Sequence, residues 1–539
     1  KEHSADPKRV TQIAPAHFHA HSVERIRPEG QDDLHVQRFF PMYVVRVETM
    51  MIMKLFPSFG QMLSRNRLYE EEEGLVIHFV SHQWLSNRHP DPEGVQLRKL
   101  QTTWQTFLDN KARSLFVPKD WDSFLQGSST NSARSVQAIE SSAKQAATDE
   151  SVTEDVLDGT MWIDFCSVPQ LVDVAESDET EALLGQQARA IASIPAYVER
   201  ANYFWVLAPH AVHRDTGIVC NFTTWRNRGW CRLEEWANTL VENRKFPLVI
   251  TDKPRLSTVG MIDCFVNVIG HEDRSVCAGE FSCCRLKHQL RNNEGQLITV
   301  PCDKKKVGKV MEELLRRKKT ALLKSGNKFM HSFPVLIRRA VLAQSEVYTR
   351  DFNPEETVET YLQRIHFDTI DEQDVLGNGP EMCASMLNHP NLLLKLERQL
   401  PGCLTRANKV GWTPLMGLVI HYENVLDEMI ELHPWLIEGE RINQATTMGY
   451  TALIHACGGF PDRARRLLEL KASIHHADSN GRQALHHACV KNSAGSVQVL
   501  LEHKANVDAT DKNGDTPLHL AADGVTLTGH CNDSTKLLA

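Results

Sequence analysis

At 539 residues the chain is too long for a single hydrophobic core, and its length calls for three or four domains. With 42% apolar and 24% charged residues it has the balance of an ordinary globular protein, and a net charge of −8 argues against a nucleic-acid binder. Its 13 cysteines, an odd number without a regular framework, fit free thiols in a reducing, intracellular and cytoplasmic setting, and no apolar run approaches the ~18 residues that span a bilayer.

The chain begins at Lys1 rather than Met, which leaves room for a removed organelle-targeting peptide. Residues 1–70 read as an N-terminal arm, enriched in histidine by His3, His17, His19, His21 and His35 but without paired ligand spacing. From residue 71 to 245 the pattern is α/β. Leu75-Val76-Ile77-His78-Phe79-Val80 is a buried-strand candidate ending in Ser81-His82-Gln83-Trp84, and a helix is expected over 94–108. Residues 127–154, rich in Ser, Ala, Gln, Thr and Glu, read as a mobile surface insertion with little to bury. Met161-Trp162-Ile163-Asp164-Phe165 is the next strand, followed by a helix over 181–199 and the strand Tyr203-Phe204-Trp205-Val206-Leu207. Strands alternating with helices imply a mainly parallel sheet covered on both faces, with ligands beyond the carboxyl ends of its strands, where Ser81, Asp164 and Pro209 fall.

The phrase Gly229-Trp230-Cys231-Arg232-Leu233-Glu234-Glu235-Trp236 opens a helix behind that sheet. At ~100° per residue Glu234 lies ~40° from Trp230, and Glu235 lies ~140° away. Trp230, Leu233, Ala237 and Leu240 form the apolar stripe, so Glu234 is expected beside the buried face and Glu235 facing out. A carboxylate at the edge of a core is costly unless it has partners or a task.

Residues 246–380 read as a helical connector. A helix is expected over 304–323, with Val307, Val310, Met311, Leu314, Leu315 and Leu322 on one stripe and a Lys/Arg-rich opposite face. That pattern fits a helix packed on its neighbours or one lying on a membrane surface or acidic partner. Cys264, His271, Cys277, Cys283, Cys284, His288 and Cys302 crowd this region, but their spacing matches no zinc module and no metal ligand is assigned.

The C-terminal part repeats itself. Gly411-Trp-Thr-Pro-Leu, Gly449-Tyr-Thr-Ala-Leu, Gly481-Arg-Gln-Ala-Leu and Gly514-Asp-Thr-Pro-Leu recur at intervals of 38, 32 and 33 residues. Asn480-Gly481 and Asn513-Gly514 supply positive φ at a tight turn, Thr516 caps the next helix, and Leu485 and Leu518 are expected to bury against neighbouring repeats. These units resemble ankyrin repeats. Thr516-Pro517-Leu518-His519-Leu520-Ala521 is the family hexapeptide, Gln483-Ala484-Leu485-His486-His487-Ala488 and Thr451-Ala452-Leu453-Ile454-His455-Ala456 are near copies, and Thr413-Pro414-Leu415-Met416-Gly417-Leu418 is divergent. A degenerate cap is expected over 381–410, so that an α-solenoid of ankyrin repeats fills 381–539.

The α/β part resembles two related families, the Toll/interleukin-receptor (TIR) domains and the fungal heterokaryon-incompatibility (HET) domains. Phe79-Val80-Ser81-His82-Gln83-Trp84 is similar to the incompatibility family's strand ending in Ser-x-x-Trp. Trp162-Ile163-Asp164-Phe165-Cys166-Ser167-Val168-Pro169-Gln170 is similar to its Trp-Ile-Asp block, with Ser167 where the family has cysteine. Arg228-Gly229-Trp230-Cys231-Arg232-Leu233-Glu234 fits both families and puts their glutamate on Glu234.

The resemblance implies a TIR-like, flavodoxin-like parallel-sheet fold. Some TIR domains cleave NAD at the nicotinamide–ribose bond. NAD is thus the substrate it implies, with Glu234 catalytic and Ser81, His82, Trp84, Asp164 and Trp230 on the pocket rim. The alternative is that Glu234 pairs locally with Arg228 or Arg232. A Ser81–His82 nucleophile–base pair is disfavoured because adjacent strand residues point to opposite faces. Three functions follow. The leading one is protein–protein interaction or scaffolding through the ankyrin stack, without chemistry. The second is an NAD-cleaving signalling effector. The third is a structural subunit of a larger assembly.

Overall fold

The computed structural model describes residues 38–116, 121, 149–170, 173, 177–240, 247–258, 275–291, 297–300, 302–324, 337–338, 341–342, 345, 355–374, 377–420, 425–491, 493–521 and 537. The chain forms two compact units, the first from the described parts of residues 1–130, 141–260 and 280–310, the second from those of 261–279 and 311–539. The histidine-rich stretch, Cys264 and His271 lie outside the described residues.

The first unit is built on a sheet whose strands begin with β1 (Tyr43–Arg46), β2 (Tyr69–Glu70), β3 (Ile77–His82), β4 (Thr160–Trp162) and β5 (Tyr203–Leu207). A separate ribbon of β6 (Ala211–Val212) and β7 (Val219–Cys220) follows, and β8 (Leu248–Ile250) and β9 (Ser257–Thr258) complete the sheet. Across the sheet the order is β2-β1-β4-β3-β5-β8-β9. The central strands β4, β3, β5 and β8 run parallel, and the flanking pairings of β1, β2 and β9 are antiparallel, so the sheet is mixed rather than parallel throughout. Every residue of β3 and β5 is buried. Such unbroken burial suits parallel strands, which are covered on both faces.

Alternation along the strands sorts the two faces. On one, His78 meets Tyr203 and Trp205, and His78 and Trp205 meet Trp104 of the Val95–Leu108 helix. On the other, Phe79 stacks between Trp162 and Phe204, and Trp162 packs on Tyr197 of the Ile194–Arg200 helix. The Gly229–Thr239 helix packs on that same helix and on β3.

The structure moves several expected boundaries. The arm does not extend to residue 70, because Val45 pairs with Met161 and Val44 with Tyr69, and Tyr43, Val44 and Val45 are buried. At the other end, β8 and β9 carry the sheet beyond residue 245. Of the insertion expected over 127–154, residues 127–148 lie outside the described residues. Residues 149–154 belong to the Asp149–Leu157 helix, where Val152 and Val156 are buried, so this part has apolar surface to bury after all. The helix expected over 181–199 is two helices, Ser177–Ala192 and Ile194–Arg200, the second restarting at Pro195. In the Asp303–Lys324 helix Val307, Met311, Leu314 and Leu315 are buried, so the apolar stripe is not an open face.

In the second unit, Tyr361 and Ile365 of the Val358–Ile365 helix share one core with Leu392, Leu396, Leu418 and Met429, and the Tyr361 hydroxyl donates to the Pro380 carbonyl at 2.9 Å. Residue 380 is therefore not a core boundary. Pro380–Met386 and Pro390–Gln399 form the helical pair where the degenerate cap was expected. Each repeat then opens on a turn whose glycine has left-handed φ, as at Gly449 (81°) and Gly481 (79°), which a side chain at that position would strain. The Asp478 carboxylate accepts from Asn480 N and Arg482 N, and Asp511 accepts from Asn513 N and Asp515 N. Successive turns bond to each other, Thr447 N to Val410 O, Ser479 N to Met448 O and Lys512 N to Asn480 O. The hexapeptide histidine has a local task as well. His486 Nδ1 accepts from Gln483 N, which leaves Nε2–H to donate to the Asp515 carbonyl of the next repeat.

Leu415, Leu453 and Leu485 are buried in their repeats, but Leu518 is 39% exposed and corrects the expectation for that position. It sits in the last helical turn described before residue 537, and a leucine that keeps this much of its surface loses less on truncation than a fully buried one. Leu485→Ala is expected to cost ~2–4 kcal/mol by urea unfolding of the C-terminal repeats, with Leu518→Ala clearly smaller. Equal costs would contradict this arrangement.

Candidate active site

Strand β3 ends by sending adjacent side chains to opposite faces. Ser81 Oγ points toward the Gly229–Thr239 helix and donates to Glu234 Oε2 at 2.5 Å, and it accepts from Trp225 Nε1 at 3.0 Å. Trp225 lies on the Phe222–Asn227 helix, whose start is capped by Asn221 accepting from Thr223 N and Thr224 N. The next helix follows after one extended residue, Arg228. Gly229 is required at its start, since a Cβ there would come within 1.9 Å of the Phe281 ring.

That helix carries Trp230, Cys231 and Glu234 to a cavity of about 290 Å³ beyond the carboxyl ends of β3 and β4. Glu234 is 8% exposed, and Ser81 is its hydrogen-bond partner among the described residues. No arginine is paired with it there: Arg228 donates to Ser282 Oγ, and Arg232 Nε to the Arg226 carbonyl. Glu235 does not face freely outward. It forms a 2.8 Å ion pair with Arg226, with 16% of its side chain exposed.

On the other side of β3 a second chain of bonds reaches the same cavity. Gln96 Nε2 donates to the Gln83 carbonyl, which turns Gln96 Oε1 toward His82 Nδ1 at 2.9 Å. His82 Nε2 meets Asp164 Oδ1 at 2.8 Å, and Trp84 Nε1 donates to Asp164 Oδ2 at 2.8 Å. Both ring nitrogens of His82 thus face acceptors, which is the pattern of an imidazolium. Ser81 and His82 share no bond, so a nucleophile–base pair between them is not formed.

His82, Trp84, Asp164, Trp230 and Glu234 all line the one cavity, while Ser81 lies behind Glu234, outside the lining. Sequence reasoning overlooked Trp225, Gln96 and Lys306. Of these only Gln96 carried a signal, a polar residue on the buried face of an amphipathic helix, and the structure leaves it 1% exposed. Gln170, seen only as the end of a sequence block, lines the cavity and donates to the Val168 carbonyl.

Burial lifts Glu234 to about 8, against the Ser81 hydrogen bond that favours its anion, and the Asp164 charge adds to the rise. Burial also works against ionised Asp164, but His82, Trp84 and the Phe165 N–H outweigh it and hold that carboxyl below its ordinary value. His82 would be lowered by burial, yet the Asp164 carboxylate raises it above its ordinary value. Two neighbouring carboxyl groups are thereby held in opposite protonation states at neutral pH. Burial pushes the Cys166 and Cys231 thiols well up, so neither is a thiolate nucleophile.

Residues 459–538 match the family model described as ankyrin repeats (3 copies). The C-terminal part of the chain thus carries ankyrin repeats, a fold element associated with protein partners. A search of curated proteins finds no match to the chain. Among the described residues no helix is long and apolar enough to cross a membrane.

The His82–Asp164 pair generates a pH test. A histidine raised on folding contributes stability that is fully present below about pH 6.5 and fades as pH rises through its folded value. Asp164→Asn is expected to drop the His82 pKa below the ordinary value, because burial, the largest effect, then outweighs the Gln96 hydrogen bond and the Glu234 charge that remain, as read by NMR titration of the imidazole. An unchanged His82 titration would contradict the pairing.

Proposed function

We propose that the chain docks a protein partner through its ankyrin repeats and that its α/β unit cleaves NAD at the nicotinamide–ribose bond, with Glu234 as the catalytic carboxyl. The observation that carries the catalytic reading is Glu234 itself, a buried carboxyl at a cavity with a hydroxyl as its hydrogen-bond partner among the described residues. Strand order supports it. The first central parallel strand, β3, has the second, β4, on one side and the third, β5, on the other. Doubly wound folds, TIR domains among those that the sequence resembles, bind ligands at such a switch point.

The cavity is near the lower end of the ~300–1,000 Å³ usual for ligand sites and suits the nicotinamide riboside end of the dinucleotide. Trp84 and Trp230 line the cavity as aromatic neighbours for the ring, and Arg228 and Lys306 line it as cations for the pyrophosphate. In the reaction the ribose C1′–nicotinamide nitrogen bond breaks, its electron pair leaves on nicotinamide, and an oxocarbenium-like ribose remains. Ionised Glu234 stabilises that charge and takes a proton from the attacking water, giving ADP-ribose. A cationic nicotinamide ring seated beside Glu234 favours its ionised form and so offsets burial.

Nicotinamide release from NAD by the purified chain, followed chromatographically, is expected to rise with pH through a midpoint of about 8, as free Glu234 ionises. Glu234→Gln should lower it by at least ~10²–10³-fold, and Glu235→Ala should leave it near wild type. Release that survives Glu234→Gln would overturn the catalytic role. Absence of both release and NAD binding would leave a docking or scaffolding module.

A further inference from the structure

Just outside the catalytic cluster, four metal-ligating side chains come together from a segment whose sequence spacing resembles no zinc module. Cys283, Cys284, His288 and Cys302 place their ligand atoms within 4.8 Å of one another. We propose that these residues bind one zinc ion in a closed Cys3His structural site, which pins the segment forming the outer wall of the cavity.

The distances carry the argument. Zinc bonds of ~2.3 Å to sulfur and ~2.0–2.1 Å to nitrogen at tetrahedral angles require edges of ~3.8 Å between sulfurs and ~3.6 Å between sulfur and nitrogen. Cys284 Sγ lies 3.9 Å from Cys283 Sγ, 3.8 Å from Cys302 Sγ and 3.6 Å from His288 Nε2. Three edges that meet at Cys284 therefore have the length of a zinc tetrahedron. The sulfur separations are far beyond the ~2.05 Å of a disulfide.

The backbone is shaped to close this group. After the Ser282–Arg285 helix, Lys287 and His288 are consecutive non-glycine residues with left-handed φ of 53° and 61°, and His288 N bonds to the Cys283 carbonyl. This unfavourable turn carries the imidazole back over Cys284. A hairpin of β10 (Gln289–Arg291) and β11 (Leu297–Thr299) then returns the chain, and Val300 N bonds to the His288 carbonyl just before Cys302. Asp303 N, at the start of the Asp303–Lys324 helix, donates to Cys283 Sγ at 3.3 Å, the kind of outer bond that steadies a metal-bound thiolate. With four protein ligands the ion has no open position, and its role is structural. Cys283, Leu286, Val300 and Asp303 line the cavity that holds Glu234, so the ion would fix that wall. The proposal does not depend on NAD turnover.

The test is metal analysis of the full chain, purified without a histidine tag and dialysed against metal-free buffer. Elemental analysis should find about one zinc per chain, as one tetrahedral site requires. Cobalt in place of zinc should give the thiolate charge-transfer absorption and intense visible bands of tetrahedral coordination. Cys284→Ser and Cys302→Ser should lose the metal, while His288→Cys, which keeps four ligands, and Cys220→Ser, a thiol outside the group, should retain it. If the serine variants fail to fold, the cobalt spectrum of the wild-type chain decides. A wild-type chain without stoichiometric zinc, a cobalt spectrum lacking thiolate bands, or zinc retained in folded Cys284→Ser would each overturn the site.

Discussion

The constraint on which the first unit depends is the two-sided burial of β3. A strand between parallel neighbours, covered by helices on both faces, must alternate its side chains into two different interiors. At its carboxyl end that alternation sorts the polar side chains around the cavity. Ser81 goes to one side and takes hold of Glu234 from the Gly229–Thr239 helix, and His82 goes to the other and takes hold of Asp164. Neither contact is local in sequence. Both exist because β3 lies beside β4 and β5 with its end at the edge of the sheet, where the loops leave a cavity instead of a packed layer.

Burial alone would push both carboxyl groups up. What separates them is the number and charge of their partners. Asp164 receives an imidazolium, an indole N–H and a backbone N–H, whereas Glu234 receives one hydroxyl among the described residues. The result is an ionised acid held in place beside a largely protonated one at neutral pH, with the two directions set by environment and not by residue type.

The parts of this protein that were legible in its sequence are those governed by local rules. The repeats could be read because each needs a glycine of positive φ and a fixed hexapeptide, and Glu234 could be placed because helical angles put it beside Trp230. What could not be read depends on long-range pairing. Tyr43–Arg46 is too short to show a period, and only its pairing with Met161 and Thr160 on one side and Tyr69 and Glu70 on the other makes it a strand. Trp225 gave no sign that its indole would reach a serine in β3. The cysteine group failed a spacing test because two of its members are adjacent and the last is brought back by a hairpin.

The second unit shows what a carboxylate with a structural task looks like, and the contrast bears on Glu234. Burial works against Asp478 and Asp511 too. Yet Asp478 accepts two backbone N–H groups and pairs with His487, and Asp511 accepts two and pairs with Arg482, so both are held below their ordinary values. Such groups favour folding at neutral pH. Glu381 is an intermediate case, lifted to about 6 by burial at the start of a helix. Glu234 lies at the far end of the series. A carboxyl raised to about 8 does nothing for the stability of the fold that a glutamine could not do, because its ionised form is disfavoured there. A buried carboxyl that faces a cavity and is answered by a single hydroxyl among the described residues has the environment that the proposed catalytic role requires.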